Sequence, residues 1–89
     1  MQIWQIRLEK QPEKFLSKID KNLKVRLLKE IQKLPDATDT KPLTNYPRLH
    51  RLRVGDFRVI YRKEGDLLTI IVLQVGSRGD IYKWLARQD

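Results

Sequence analysis

The chain of 89 residues contains no cysteine and a single histidine, and it has no long apolar run. The lack of cysteine excludes disulfide bonds and thiolate metal sites, and with His50 alone a structural zinc site is not expected. The first eight residues lack the basic start and apolar stretch of a signal peptide, and no segment is long enough to span a membrane. We therefore expect a cytoplasmic protein that needs no metal, cofactor or membrane.

Positive charge is what the chain has in excess. It carries 19 Lys and Arg against 11 Asp and Glu, which gives a net charge of +8. Such a surplus predicts an anionic partner, with nucleic acid as the first candidate and an acidic protein as the second. The hydrophobic content of 40% is enough for a small core, so we expect a single domain over residues 1–89.

The order of the hydrophobic patterns predicts an α+β fold. Strands are expected at about residues 1–8, 49–54, 57–63 and 67–75. Two helices are expected after the first strand, the first with Pro12 in its first turn. The second begins at the N-cap Asp20 and ends at Pro35. Residues 36–48 are expected to form a loop. The last strand is apolar enough to be buried on both faces and to lie centrally. We expect a helical hairpin packed on one face of a sheet that ends in a three-stranded antiparallel meander.

The most informative segment is a β-hairpin with the two-residue turn Gly55-Asp56. This turn fixes the cross-strand pairs, which are Val54 with Phe57, Arg53 with Arg58, Leu52 with Val59 and His50 with Tyr61. Arg53 and Arg58 then meet directly, and Arg51 lies on the same face. Like charges in that position are unfavourable, so solvent or a polyanion has to compensate them. One face of the hairpin is apolar and belongs to a core, and the other is a cationic platform.

The element order, the segment RLHRLRVGDFRVIYR and the closing VGSRGDIYKW resemble the RelE/ParE superfamily of bacterial toxins. The resemblance covers nearly the whole chain. In that superfamily, RelE-type members are ribosome-dependent mRNA endonucleases that a cognate antitoxin holds inactive, whereas ParE-type members share the fold and poison DNA gyrase. The resemblance therefore implies the toxin of a type II toxin-antitoxin system, and the RelE-type activity in the ribosomal A site is the principal interpretation.

The resemblance also implies roles for individual residues. Arg58 matches the strand arginine that stabilises charge on the scissile phosphate, and Arg78 matches a second arginine with a similar role. Tyr82 matches the tyrosine near the C-terminus that takes part in proton transfer and base stacking. Arg51 falls where the family often has a catalytic lysine and Arg53 where it has an additional basic residue, which makes both of them predicted nucleic-acid contacts.

Three positions depart from the family pattern. Arg51 replaces a lysine, and an arginine stays protonated at any accessible pH, so it is a poor general base. Leu49 stands where a second lysine is found, and Ser77 occupies the position of a histidine that often precedes Arg78. The general base is therefore left open. His50, a predicted nucleic-acid contact with an ordinary pKa near 6.5, is one candidate.

The residue types suit metal-free RNA cleavage, in which the 2′-hydroxyl attacks the adjacent phosphate. Arginines stabilise the growing negative charge, and nearby cations can lower the pKa of a tyrosine from about 10. Three interpretations remain open, namely a RelE-type mRNA endonuclease, a ParE-type gyrase inhibitor without nuclease activity, and a non-catalytic nucleic-acid-binding module. The first implies a cognate antitoxin, the ribosome with its RNA, and mRNA as partners.

Overall fold

The computed structural model describes residues 3–37 and 39–88, which form one mixed sheet flanked by helices. In chain order the elements are β1 (Gln5–Leu8), α1 (Lys10–Lys18), α2 (Lys21–Gln32), β2 (Thr40–Pro42), β3 (His50–Val54), β4 (Phe57–Glu64), a 3₁₀ turn (Gly65–Leu67), β5 (Thr69–Ser77) and α3 (Arg78–Ala86). The strand order is β1-β5-β4-β3-β2. Strand β1 runs parallel to β5, and every other pairing in this sheet is antiparallel.

The sheet has five strands, one more than the predicted N-terminal strand and three-stranded meander, so the predicted extent of the sheet is wrong. The additional strand, β2, lies in the segment predicted as a loop and pairs with β3 from Thr40 opposite Leu52 to Pro42 opposite His50. The predicted N-terminal strand is present from Gln5, whereas Met1 and Gln2 lie outside the described residues. The apolar strand β5 is interior, between β1 and β4, although β4 is the middle strand.

The two predicted helices are present with the expected N-terminal signals. Pro12 lies in the first turn of α1, and the Asp20 carboxylate caps α2 by accepting hydrogen bonds from the backbone N–H groups of Asn22 and Leu23, at 2.8 and 3.4 Å. Helix α2 ends at Gln32, before Pro35. These signals set the starts of both helices close to where the sequence predicted them.

A third helix, α3, was not predicted. It follows β5 without a loop, and the Ser77 hydroxyl caps it by accepting from the backbone N–H of Asp80 at 3.2 Å. Residues 77–80 carry the S-x-x-D pattern of a helix start, which the sequence analysis did not use. The predicted arrangement of helices is therefore incomplete.

The sheet separates two apolar clusters. The first contains side chains from α1, from α2, from the segment that follows α2 and from one face of the sheet, namely Leu16, Leu27, Ile31, Leu34, Ala37, Leu52, Val54, Val59, Tyr61, Ile70, Val72 and Val75. The second joins Ile60 of β4 to Ile81 and Leu85 of α3, with Trp84 packed against it. Helix α3 therefore covers part of the sheet face that was expected to be an open cationic platform.

The hairpin has the predicted register throughout. Arg53 is paired with Arg58 and Val54 with Phe57, with Gly55 in the turn at a φ of +59°, a conformation that favours glycine. The arginines of β3 and β4 consequently lie on the face that also carries Ile60. This alternation places them at the edge of the second apolar cluster.

A glutamine side chain continues the hydrogen bonding along β5 beyond the end of β1. The Gln11 side chain donates to the backbone carbonyl of Val75 and accepts from its backbone N–H, both at 2.9 Å. The pairing of β1 with β5 stops at Leu8 opposite Val72, so the amide of Gln11 satisfies backbone groups that β1 no longer reaches. Helix α1 is thereby fixed against β5.

Candidate functional site

Three elements bring four arginines together, and we call Arg51, Arg53, Arg58 and Arg78 the arginine cluster. Strand β3 supplies two of them, β4 supplies Arg58, and the first residue of α3 is Arg78. The backbone N–H of Arg78 donates to the carbonyl of Asp56 at 3.1 Å, which ties the start of α3 to the hairpin turn. The sequence-predicted arginines thus share one region of the molecule.

Arg58 is the buried member of the cluster, with 8% of its surface exposed. Its Nη1 donates to the backbone carbonyls of Gly55 and Phe57, both at 3.0 Å, whereas its Nε is buried without a partner. Burial lowers the pKa of Arg58, and the neighbouring charges of Arg51 and Arg53 lower it further. Among the described residues no carboxylate pairs with it, so this desolvated cation suits an external anion.

An acidic side chain that the sequence analysis missed lies beside the other hairpin arginines. Asp39 Oδ1 is 3.1 Å from Arg51 Nη2, and Asp39 Oδ2 is 2.9 Å from Arg53 Nε. The expectation that solvent or a polyanion alone compensates the facing arginines is therefore corrected, because the chain supplies one carboxylate itself. No sequence signal marked Asp39, since it precedes the strand β2 that was not predicted.

Tyr82 lies beside Arg78 on α3, and 54% of its surface is exposed. The spacing of four residues places both side chains on one face of the helix, and Arg78 Cζ is 5.6 Å from the centre of the Tyr82 ring. Hydrogen bonding to Arg78 and the charge of that guanidinium lower the pKa of Tyr82, with smaller contributions from Arg58 and Arg51. The lowered pKa makes the phenolate form of Tyr82 more accessible than in a free tyrosine.

A cavity of about 220 Å³ lies between α3 and the segment around β2. Its apolar walls include Ile60, Ile81 and Leu85, and its polar side chains include Arg51, Arg58 and Tyr82. Arg51 and Arg58 of the arginine cluster therefore open onto a concave surface with an apolar part, a combination typical of ligand sites.

His50 is the one predicted site residue that the structure does not bring to the arginine cluster. Strand alternation places it on the opposite face, where its ring stacks on Tyr61 with centroids 5.3 Å apart. Burial, and then the charge of Lys63, lower the pKa of His50 from 6.5. The candidate general base of the sequence analysis is thus part of the apolar face of the hairpin and lies away from Tyr82.

Neither a membrane helix nor a metal centre is found in the described part of the chain. None of the helices in residues 3–37 and 39–88 is long and apolar enough to cross a membrane. The same residues contain no group of three or more His, Cys, Asp or Glu side chains that could hold a metal ion.

Comparison with solved structures identifies the class of fold. A chain of the RelB–RelE antitoxin–toxin complex of Methanococcus jannaschii matches with a TM-score of 0.71 at 26% identity, over 88% of this chain and 96% of that one. The archaeal RelE–RelB complex of Pyrococcus horikoshii gives 0.70 at 27% identity, over 88% and 98%. The isolated E. coli RelE toxin gives 0.65 at 17% identity, over 94% and 96%, which shows the fold alone. The fold is that of the RelE toxins.

The family follows from the sequence itself. Residues 6–82 match the family model of the ParE toxin of the type II toxin-antitoxin system, parDE. No curated protein matches the sequence significantly. The chain belongs to this toxin family, within the RelE/ParE superfamily that the hairpin and the C-terminal motif indicated.

Proposed function

We propose that this toxin is a ribosome-dependent mRNA endonuclease that cleaves in the A site without a metal ion. The observation that carries the proposal is Arg58, a buried cation without a carboxylate partner among the described residues, which lines a cavity together with Tyr82. A buried, unpaired charge is unfavourable for folding. Its retention is explained if the charge is used when a phosphate binds.

The proposed reaction assigns one role to each part of the cluster. The 2′-oxygen of the RNA attacks the adjacent phosphorus, the bond to the 5′-oxygen breaks, and the products carry a 2′,3′-cyclic phosphate and a 5′-hydroxyl. Arg58 and Arg78 stabilise the charge that develops on the phosphate oxygens. Tyr82, as a phenolate, takes the proton from the 2′-hydroxyl and returns it to the leaving 5′-oxygen. Arg51 and Arg53 bind the RNA backbone.

The proposal includes an antitoxin and the ribosome as partners. The matched structures from Methanococcus jannaschii and Pyrococcus horikoshii are antitoxin–toxin complexes, which supports a cognate antitoxin for this chain. An antitoxin that covers the arginine cluster is expected to be acidic there. The net charge of +8, from 19 basic and 11 acidic residues, supports docking on ribosomal RNA. The proposed site of action is the cytoplasm.

Gyrase inhibition is the second candidate, and the family model favours it because its description names ParE. Such an activity requires a surface that binds gyrase, and it has no use for a tyrosine whose pKa is lowered by an adjacent arginine. The contacts of Tyr82 with Arg78 therefore support the endonuclease over the inhibitor. A non-catalytic nucleic-acid-binding module also has no use for this pairing.

The two activities are separated by inducing the chain in bacteria and following messages and DNA together. An endonuclease stops growth, produces breaks within codons that primer extension detects, and leaves DNA supercoiling normal. Co-expression of the antitoxin restores growth. Intact messages with trapped gyrase–DNA breaks would assign the protein to the ParE-type activity, and normal growth at verified expression would contradict both.

A further inference from the structure

Asp39 is held at the arginine cluster through both its backbone and its side chain. Its backbone carbonyl accepts a hydrogen bond from the backbone N–H of Arg53 at 2.9 Å, directly before β2 pairs with β3 at Thr40 opposite Leu52. Its two carboxylate oxygens are 3.1 Å from Arg51 Nη2 and 2.9 Å from Arg53 Nε. The carboxylate is therefore fixed by the edge of the sheet and joins two arginines.

The carboxylate of Asp39 offsets the repulsion that Arg51 and Arg53 experience from the neighbouring positive charges. Arg53 faces Arg58 across the strands, and the charges of Arg51 and Arg53 are both felt at the buried Arg58. Arg51 is itself largely buried, with 18% of its side chain exposed. Repulsion alone would drive these guanidinium groups apart, and a carboxylate between two of them opposes that tendency.

We propose that Asp39 is a positioning residue that holds Arg51 and Arg53 side by side so that both bind phosphates of the RNA substrate. Each arginine has five N–H groups, so one contact with Asp39 leaves other donors on both side chains for phosphate oxygens. This inference rests on the proposed function and deepens it, because it assigns the substrate backbone to a pair of arginines preset by the sheet.

The sign of the effect distinguishes positioning from simple electrostatics. Replacing Asp39 by asparagine removes a negative charge near a site for a polyanion, and charge alone would then strengthen phosphate binding. Loss of positioning predicts the opposite result. We expect Asp39→Asn to lower the single-turnover cleavage rate on programmed ribosomes by about tenfold or more, the scale of a displaced binding group.

Matched variants control for charge and for folding. Asp36→Asn makes the same change in charge three residues earlier, where no arginine is paired with the carboxylate among the described residues, and it should cleave like the wild type. Asp39→Glu keeps the carboxylate and should recover most of the lost rate. Asp39→Ser is a second neutral variant with a residue suited to turns, and thermal unfolding shows which variants are folded.

A second readout tests Asp39 without requiring cleavage. Inorganic phosphate is titrated into each ¹⁵N-labelled full-length protein, and the Nε–Hε signals of Arg51 and Arg53 are followed by NMR. Positioning is supported if Asp39→Asn and Asp39→Ser bind phosphate more weakly than the wild type and Asp39→Glu recovers the binding. This result would hold even if the wild type cuts no message and the proposed function fails. Equal or tighter phosphate binding in the neutral variants overturns the inference.

Discussion

Replacing Arg58 by methionine removes its charge and keeps an unbranched, flexible apolar side chain in the buried position. In the proposed mechanism this guanidinium stabilises charge on the scissile phosphate, and loss of one such donor costs about 3 kcal/mol in the transition state. That energy corresponds to a fall in cleavage rate of about two orders of magnitude. Arg58→Met should therefore be nearly inactive.

The stability of the same variant should change little or rise. Two hydrogen bonds from Arg58 to the carbonyls of Gly55 and Phe57 are lost, each from a charged donor and worth about 1.5–3 kcal/mol. Against this stands the desolvation of a cation that is 8% exposed, a penalty of several kcal/mol, together with its repulsion by Arg53. We expect a free energy of unfolding within about 1 kcal/mol of the wild type, or higher, since the opposing terms are of similar size.

Single-turnover cleavage on programmed ribosomes and urea denaturation measure the two effects separately. Arg62→Met is the matched control, because Arg62 lies on the same strand, is partly exposed, and pairs with Glu64 at 2.8 Å. The control should cleave normally. Normal cleavage by Arg58→Met, or a loss of stability of more than about 3 kcal/mol, would refute the argument that the charge is kept for catalysis at the expense of stability.

Three further predictions concern titration and packing. Tyr82 should ionise below the ordinary tyrosine pKa of 10.0. Arg78→Ala should move the tyrosinate absorbance step, and the rising limb of the pH–rate profile, to higher pH. An unchanged absorbance step would contradict the pairing of Tyr82 with Arg78. Because burial lowers the pKa of His50 from 6.5, protonation favours the unfolded chain. The free energy of unfolding should therefore be highest above pH 6.5 and should fall as the pH decreases through the lowered pKa. His50→Phe should flatten this dependence in urea denaturation at several pH values. Gln11→Leu leaves two backbone groups of β5 without partners and should cost about 2 kcal/mol in urea denaturation, whereas the exposed Gln32→Leu should cost almost nothing.

The hairpin could be predicted in detail because local chemistry determines it. Gly55 accepts the positive φ of a tight turn, and a two-residue turn leaves one register for the strands that it joins. The pairing of Arg53 with Arg58 follows from that register alone. Pro12 in the first turn of α1 and the N-cap Asp20 are local signals of the same kind, and both helices begin where those signals indicate.

The elements that were not predicted, β2 and α3, depend on contacts between distant segments of the chain. Strand β2 has three residues and includes Pro42, so it has no period that a sequence pattern can reveal. Helix α3 contains Gly79 and buries only Ile81 and Leu85 on one side, which is a weak amphipathic pattern. Without α3 the sheet face was expected to be open, and the burial of Arg58 could not be foreseen.

The candidate site shows the same division. Arg58, Arg78 and Tyr82 were identified from the motifs, and the structure brings them together. Asp39 was missed because its contact requires β2. His50 was included for its pKa, although the predicted register already paired it with Tyr61 and strand alternation put it on the face opposite Arg51. Residue type marks the chemistry that is available, and tertiary structure decides which groups act together.

The most direct measurement of the central claim uses purified ribosomes and two messages that differ by one oxygen atom. The first message is all RNA, and the second carries a 2′-deoxynucleotide on the 5′ side of the scissile phosphate. We expect the protein to cut the first message within the A-site codon, with a cyclic phosphate and a 5′-hydroxyl as the new ends, and to leave the second message intact. Cleavage of both messages would contradict 2′-hydroxyl attack, and an intact all-RNA message would contradict the endonuclease itself.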